Sequence, residues 1–164
     1  MAVNHRDLAV NYQFSIEVSG MFNVDGYFQE VSGIQTEYDA IEYKRVSAFG
    51  NPKSSFVPGR QKHNPITLKR GVTTDLAFWL WHEGLALGMA ELLRCNVSIT
   101  LHDRKFDPMV RWDLFRAWPS KVTGPQMRSD SNDIAVEEIV LVHEGLRRSF
   151  MHTFDVIYAA FRAF

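Results

Sequence analysis

The chain has 164 residues, 46% hydrophobic and 23% charged, with a formal charge of −1, which suits one globular domain with its own core. It has no apolar run of roughly 18 residues, so no membrane span is expected, and the polar stretch Met1 to Asp7 has no signal-peptide character. A single cysteine, Cys95, excludes an intrachain disulfide framework and a cysteine-rich zinc site, and near-neutral charge argues against a general nucleic-acid binder.

Tyr12 to Val18 alternates, with Phe14, Ile16 and Val18 on one face, and predicts a half-buried strand. Asp25-Gly26 suits a hairpin tip, after which Tyr27 to Val31 returns as a second strand. Ile34 to Val46 is a long strand candidate with Glu37, Asp39 and Glu42 interspersed among Tyr, Ile and Thr. So many charges suit a strand facing water or a partner. Ser47 to Asn64 carries Asn-Pro and Pro-Gly pairs and predicts a long loop, a kind of segment that is usually functional or mobile. Pro65 to Arg70 resumes strand character.

Gly71 to Gly88 is the best helix candidate, with Thr73 or Thr74 as cap, Asp75 in the first turn and Gly88 just past the end. Leu76, Leu80 and Leu87 follow helical spacing, and Phe78, Trp79 and Trp81 widen the apolar arc, which predicts a sandwiched helix. Asn96 to Leu101 and Val110 to Leu114 alternate as strands, the second ended by Pro119. Ile134 to His143 is the last clear strand. Many strands around one helix predict a mostly β, α+β fold: an antiparallel β-barrel or sandwich with one flanking α-helix.

Charge is unevenly spread. Residues 43–74 hold Lys44, Arg45, Lys53, Arg60, Lys62, Lys69 and Arg70 and no acid, a local +7 against −8 for the remainder. Such a split is either a solvated loop or self-complementarity between copies. Catalytic signals are thin. There is no phosphate-cradling glycine motif and no G-x-S-x-G elbow. His-Glu-Gly-Leu occurs at His82 and at His143, but Ala86 and Arg147 stand where a zinc protease needs its second histidine. Cys95 has only Arg94 as an activating neighbour and reads as a core residue. Glu137 and Glu138 point to opposite faces of a strand and make no acid–base pair. No catalytic, cofactor or metal residue is assigned.

Several segments occur in order: Phe14 to Val18 (FSIEV), Phe28 to Ile34 (FQEVSGI), Val57 to Arg60 (VPGR) and Ile66 to Val72 (ITLKRGV). Arg94 to Leu101 (RCNVSITL), Arg116 to Pro125 (RAWPSKVTGP) and Val140 to Leu146 (VLVHEGL) follow. Together they resemble the tail tube protein of contractile phage tails and extracellular contractile injection systems, over residues 12–146. The resemblance implies a tail-tube-like β domain and homohexameric rings that stack around a central channel. The implied partners are a sheath protein, baseplate or hub and tail terminator proteins, and cargo or DNA in the lumen. It also implies assembly in the cytoplasm into a phage tail or phage tail-like particle.

On this reading residues 1–11 form an N-terminal arm and 147–164 a C-terminal extension. Phe150, Phe154, Tyr158, Phe161 and Phe164 fall on one helical stripe of that extension, which packs on its own subunit, docks on a neighbour or stays disordered. Lys44, Arg45, Lys53, Arg60 and Lys62 are expected at inter-subunit contacts, and Glu37 and Asp39 facing the channel. The expected function is structural: an inner tube subunit, with a tube-initiating or baseplate-proximal paralogue as the alternative. A small-ligand-binding β-barrel is the more remote one.

Overall fold

A computed structural model describes residues 14–20, 28–103, 105–130 and 133–150. Along it run β1 (Phe14–Val18), β2 (Phe28–Ser32), β3 (Thr36–Val46), β4 (Pro52–His63), β5 (Ile66–Gly71) and helix α1 (Ala77–Ala86). Strands β6 (Cys95–His102), β7 (Pro108–Thr123), β8 (Val136–Val142) and β9 (Gly145–Phe150) follow. The main sheet has the order β1-β6-β7-β8-β5-β2, with β9 also on β7, and all its pairings are antiparallel.

Strand β7 organises this sheet. Its first half pairs with β6 and β9, its second half with β8. Between them the register slips opposite Asn96, and Arg116 takes φ +50°. A bulge of this kind bends a strand and lets it pass from one layer to the next. The Arg116 guanidinium holds Glu91 and Glu144, and Arg94 bridges the same two carboxylates, so side chains close over the corner. Among the described residues the hydrogen-bonded path runs from β1 to β2 without closing, so the fold is sandwich-like rather than a sealed barrel. Pro119 does not end β7. The strand's second half pairs only with β8, and Pro119 sits at an irregular step where a missing N–H is tolerated.

Alternation sets the core. Ile66 and Leu68 on β5, Val97 and Ile99 on β6, and Ile139 and Leu141 on β8 are buried, with Leu114 of β7 and Phe78 and Trp81 of α1. These side chains fill the space between the layers. Ser98 is buried on the other face of β6. Its Oγ donates to Asp113 Oδ1 (2.7 Å) and accepts from Arg111 Nη2 (2.7 Å). Burial pushes the Asp113 carboxyl up, but hydrogen bonds from Arg111 and Ser98 outweigh it and hold the group below the usual carboxylate range.

Helix α1 is shorter than its sequence predicts. Asp75 precedes it rather than joining its first turn, because Arg70 Nη1 donates to Asp75 Oδ2 (2.8 Å) while Oδ1 accepts from the Ala77 N–H (2.9 Å). Leu87 caps the helix after Ala86, and Gly88 follows at φ +81°. Only one face is buried, through Phe78, Trp81 and Gly84, and Trp81 Nε1 donates to the Leu93 carbonyl (2.6 Å). Leu76, Leu80 and Leu87 lie in solvent, so within a single chain the helix is covered on one side, not sandwiched.

The long loop expected at 47–64 is a correction: most of it is strand β4, paired with β3 as a separate two-stranded sheet. Pro52 opens the strand, and Pro58 and Gly59 lie at an irregular step where Gly59 and Arg60 together face Asp39. Both strands of a ribbon are edges, so proline fits on the free side. Arg147 to Phe150, assigned above to a helical extension, are the end of β9, paired with Val110 to Asp113. The N-terminal arm, the Asp25-Gly26 tip and the rest of the aromatic stripe lie outside the described residues.

Candidate functional site

The β3–β4 hairpin is built of strands of 11 and 12 residues. At roughly 3.3 Å per residue it extends about 35–40 Å. Its tip is a tight turn in which Ser47 N–H donates to the Asn51 carbonyl (2.8 Å) and Gly50 N–H to the Ser47 carbonyl (2.9 Å). Neither strand hydrogen-bonds to the main sheet, so each leaves one edge unpaired among the described residues.

The register assigns the faces. Odd-numbered residues of β3 (Glu37, Asp39, Ile41, Tyr43 and Arg45) share a face with Lys62, Val57, Ser55 and Lys53 of β4. The other face carries Tyr38, Glu42 and Lys44 with Gln61, Phe56 and Ser54. Exposed apolar side chains occur on both faces and at the tip: Ile41 is 52% exposed, Phe56 68%, Val46 74% and Phe49 92%. A two-stranded ribbon that covers neither face is marginal in water on its own.

All five cations expected at subunit contacts lie on this one element, but not on one face. Arg45, Lys53 and Lys62 share the odd face, Lys44 takes the opposite one, and Arg60 sits at the irregular step. Lys44, Arg45 and Lys53 cluster toward the tip, with the Arg45 guanidinium 4.8 Å from the Tyr43 ring centre. Glu37 and Asp39 sit near the base on the same face as one another. They are not a bare acidic pair. Lys62 stands opposite Glu37, and its ammonium lies 2.5 Å from Asp39 Oδ1. The hydrogen bond and charge of Asp39 raise the Lys62 pKa. The hairpin thus has a basic tip and a charge-compensated base.

The apolar residues Phe49, Phe56 and Val57 were missed because a predicted loop has no faces; the signal for them is the Val-Pro-Gly-Arg segment within the resemblance. A second exposed apolar surface is formed by Leu76, Leu80, Leu87 and Leu92 around α1. Cys95 is buried, and burial pushes its thiol up, the opposite of nucleophile activation. His143 is buried with Nε2 donating to the Asn64 carbonyl (3.1 Å).

The family model of the T4-like virus tail tube protein gp19 matches residues 10–147. Among solved structures, the chain is similar to one in the PVC sheath-tube complex of an extracellular contractile injection system in its extended state. The two are 27% identical, with TM-score 0.74, over 90% of this chain and 95% of that one. A chain from the PVC sheath/tube terminator in the extended state matches at 27% identity and TM-score 0.74, over 89% of this chain and 99% of that one. One from the tube-terminating cap of the anti-feeding prophage matches at 27% identity and TM-score 0.71, over 92% and 99%. No curated protein matches the sequence.

Proposed function

We propose that this chain, which belongs to the T4-like virus tail tube protein family, is the structural subunit of the inner tube of a contractile injection machine. Copies close into hexameric rings, and rings stack around a channel that passes cargo or DNA. A sheath surrounds the tube, a baseplate or hub meets one end and a terminator the other. The particle is a phage tail or an extracellular tail-like machine assembled in the cytoplasm. The observation that carries this reading is the β3–β4 hairpin: two free edges, apolar side chains in water on both faces and a basic tip. Pairing those edges with neighbouring copies removes the aggregation liability and covers the apolar residues. Head-to-tail contacts of this kind generate rings and stacks, and separated charge steers them.

In this assembly Glu37 and Asp39 face the channel at the hairpin base, and Lys44, Arg45, Lys53, Arg60 and Lys62 contact neighbouring subunits, those on the channel-side face reaching sideways past the ribbon's edges. Reversing Lys53, Arg60 and Lys62 to Glu should abolish rings and stacks by mass photometry while circular dichroism shows a folded chain. Normal tube formation by that triple variant would overturn the contact role.

A further inference from the structure

The hairpin joins the body through two short links, residues 33–35 and 64–65, and these links interlock. Gly33, at φ +86°, lies against the Pro65 carbonyl so closely that a Cβ there would come within 2.4 Å of its oxygen. Beside this crossing stand two histidines from opposite parts of the fold. His63 is the last residue of β4, and His143 follows β8. Their ring centres are 5.4 Å apart at an interplanar angle of 51°.

The protonation chemistry of this pair is constrained. His143 is 5% exposed, and its Nε2 carries the hydrogen donated to the Asn64 carbonyl, so its Nδ1 is a bare lone pair in the neutral ring. Nδ1 of both histidines is buried without a hydrogen-bond partner. A proton added to His63 Nδ1 therefore meets no partner now in place, and one added to His143 is opposed first by burial. Across the contact, His143 is faced by His63 from β4 and by the backbone at Asn64 and Gly145. Glu144, the adjacent carboxylate, is bound to Arg94 and Arg116, and Glu37 stands opposite Lys62. Among the described residues no carboxylate lies within ion-pair distance of either ring.

We propose that the His63–His143 contact is an acid-sensitive latch between the hairpin and the body. With both rings neutral, they pack together and His143 holds the Asn64 link. When His143 takes up a proton against the charge of His63, the rings repel, the buried charge draws in water, and the hairpin swings about its links while the main sheet stays folded. The division follows from connectivity, since among the described residues β3 and β4 pair as strands only with each other and the core lies in the other strands and α1. Burial holds His143 below the ordinary histidine range, and the charge of His63 lowers it further, while backbone bonds at Asn64 and Gly145 oppose both. A depressed value in the folded state means the latch is fully closed above the ordinary histidine value of about 6.5. It is lost as pH falls below that value and through the folded-state one.

The test is intrachain spin-label distance measurement by pulsed electron resonance. Labels are placed at Ser54→Cys on the hairpin and Ser120→Cys on the body, in a Cys95→Ala background, with excess unlabelled protein so that only distances within one chain are read. The proposal expects a narrow distribution at about pH 7.5 that broadens severalfold at about pH 5, with unchanged far-ultraviolet circular dichroism. His63→Phe keeps the ring packing without the charge and should stay narrow at both pH values, whereas His63→Lys should be broad at both. The proposal is overturned if the unsubstituted chain stays narrow at low pH, if His63→Phe broadens as that chain does, or if the whole domain unfolds at about pH 5. The sample is kept monomeric, as mass photometry checks, so that no neighbouring copy holds the hairpin and the latch and the tube reading fail separately.

Discussion

Arg70 on β5 and Glu137 on β8 stand directly opposite each other, both buried, with the Arg70 Nε donating to Glu137 Oε1. The same guanidinium lies 4.8 Å from the Phe78 ring centre and binds Asp75, while Trp79 Nε1 donates to Glu137 Oε2 (3.2 Å). One ion pair thus ties two strands to both the lead-in and the first turn of α1. Removing Glu137 takes one carboxylate from the buried Arg70, which keeps Asp75, and takes the acceptor from the Trp79 N–H. Glu137→Ala should therefore destabilise the chain by about 1.5–3 kcal/mol in urea unfolding. A loss as small as a surface ion pair gives would show that water reaches Arg70 in solution.

The tryptophans of α1 should separate in the same experiment. Trp81 is fully buried, so Trp81→Ala should cost about 3–5 kcal/mol. Trp79 is half-buried, and its measurable contribution is the N–H given to Glu137. Trp79→Phe should cost about 1–3 kcal/mol. Equal losses for Trp81→Ala and Trp79→Phe would contradict the helix orientation.

Two glycines with positive φ make a further contrast. A Cβ at Gly88 meets nothing within 4 Å, whereas one at Gly33 runs into the Pro65 carbonyl. Gly88→Ala should cost only the backbone strain, about 1–2 kcal/mol. Gly33→Ala must also push the two hairpin links apart and should cost at least about 2–3 kcal/mol. Thermal unfolding of the two variants, run side by side, reads the difference.

The channel assignment has its own check. In assembled tubes, cysteines placed at Glu37 and Asp39 should react quickly with small maleimides and slowly with bulky ones. Fast labelling by reagents wider than the channel would place this face of the hairpin on the outside of the tube.

The parts of this fold that were legible in the sequence are those whose pattern is written by burial within one chain. Phe14, Ile16 and Val18, then Ile66 and Leu68, then Val97 and Ile99 alternate because one face of each strand meets the core. Glu137 and Glu138 on opposite faces follow from the same period. Strand β4 was not legible. Both its faces lie largely in water, so Pro52 to His63 carries no burial alternation, and its prolines speak of a loop. The Arg70–Glu137 pair was hidden for another reason: its members are 67 residues apart, and no local period connects them. The leucines of α1 misled because helical spacing reports an apolar face without saying which apolar face meets the core.

The central claim is that this chain is a tube subunit whose hairpin completes itself on neighbouring copies. Electron cryo-microscopy of the purified chain at increasing concentration tests it most directly. The account predicts hexameric rings and stacked tubes, with continuous strand density from the β3–β4 hairpin into the adjacent subunit. A chain that stays monomeric at both low and physiological salt, with its hairpin free in solution, would contradict it.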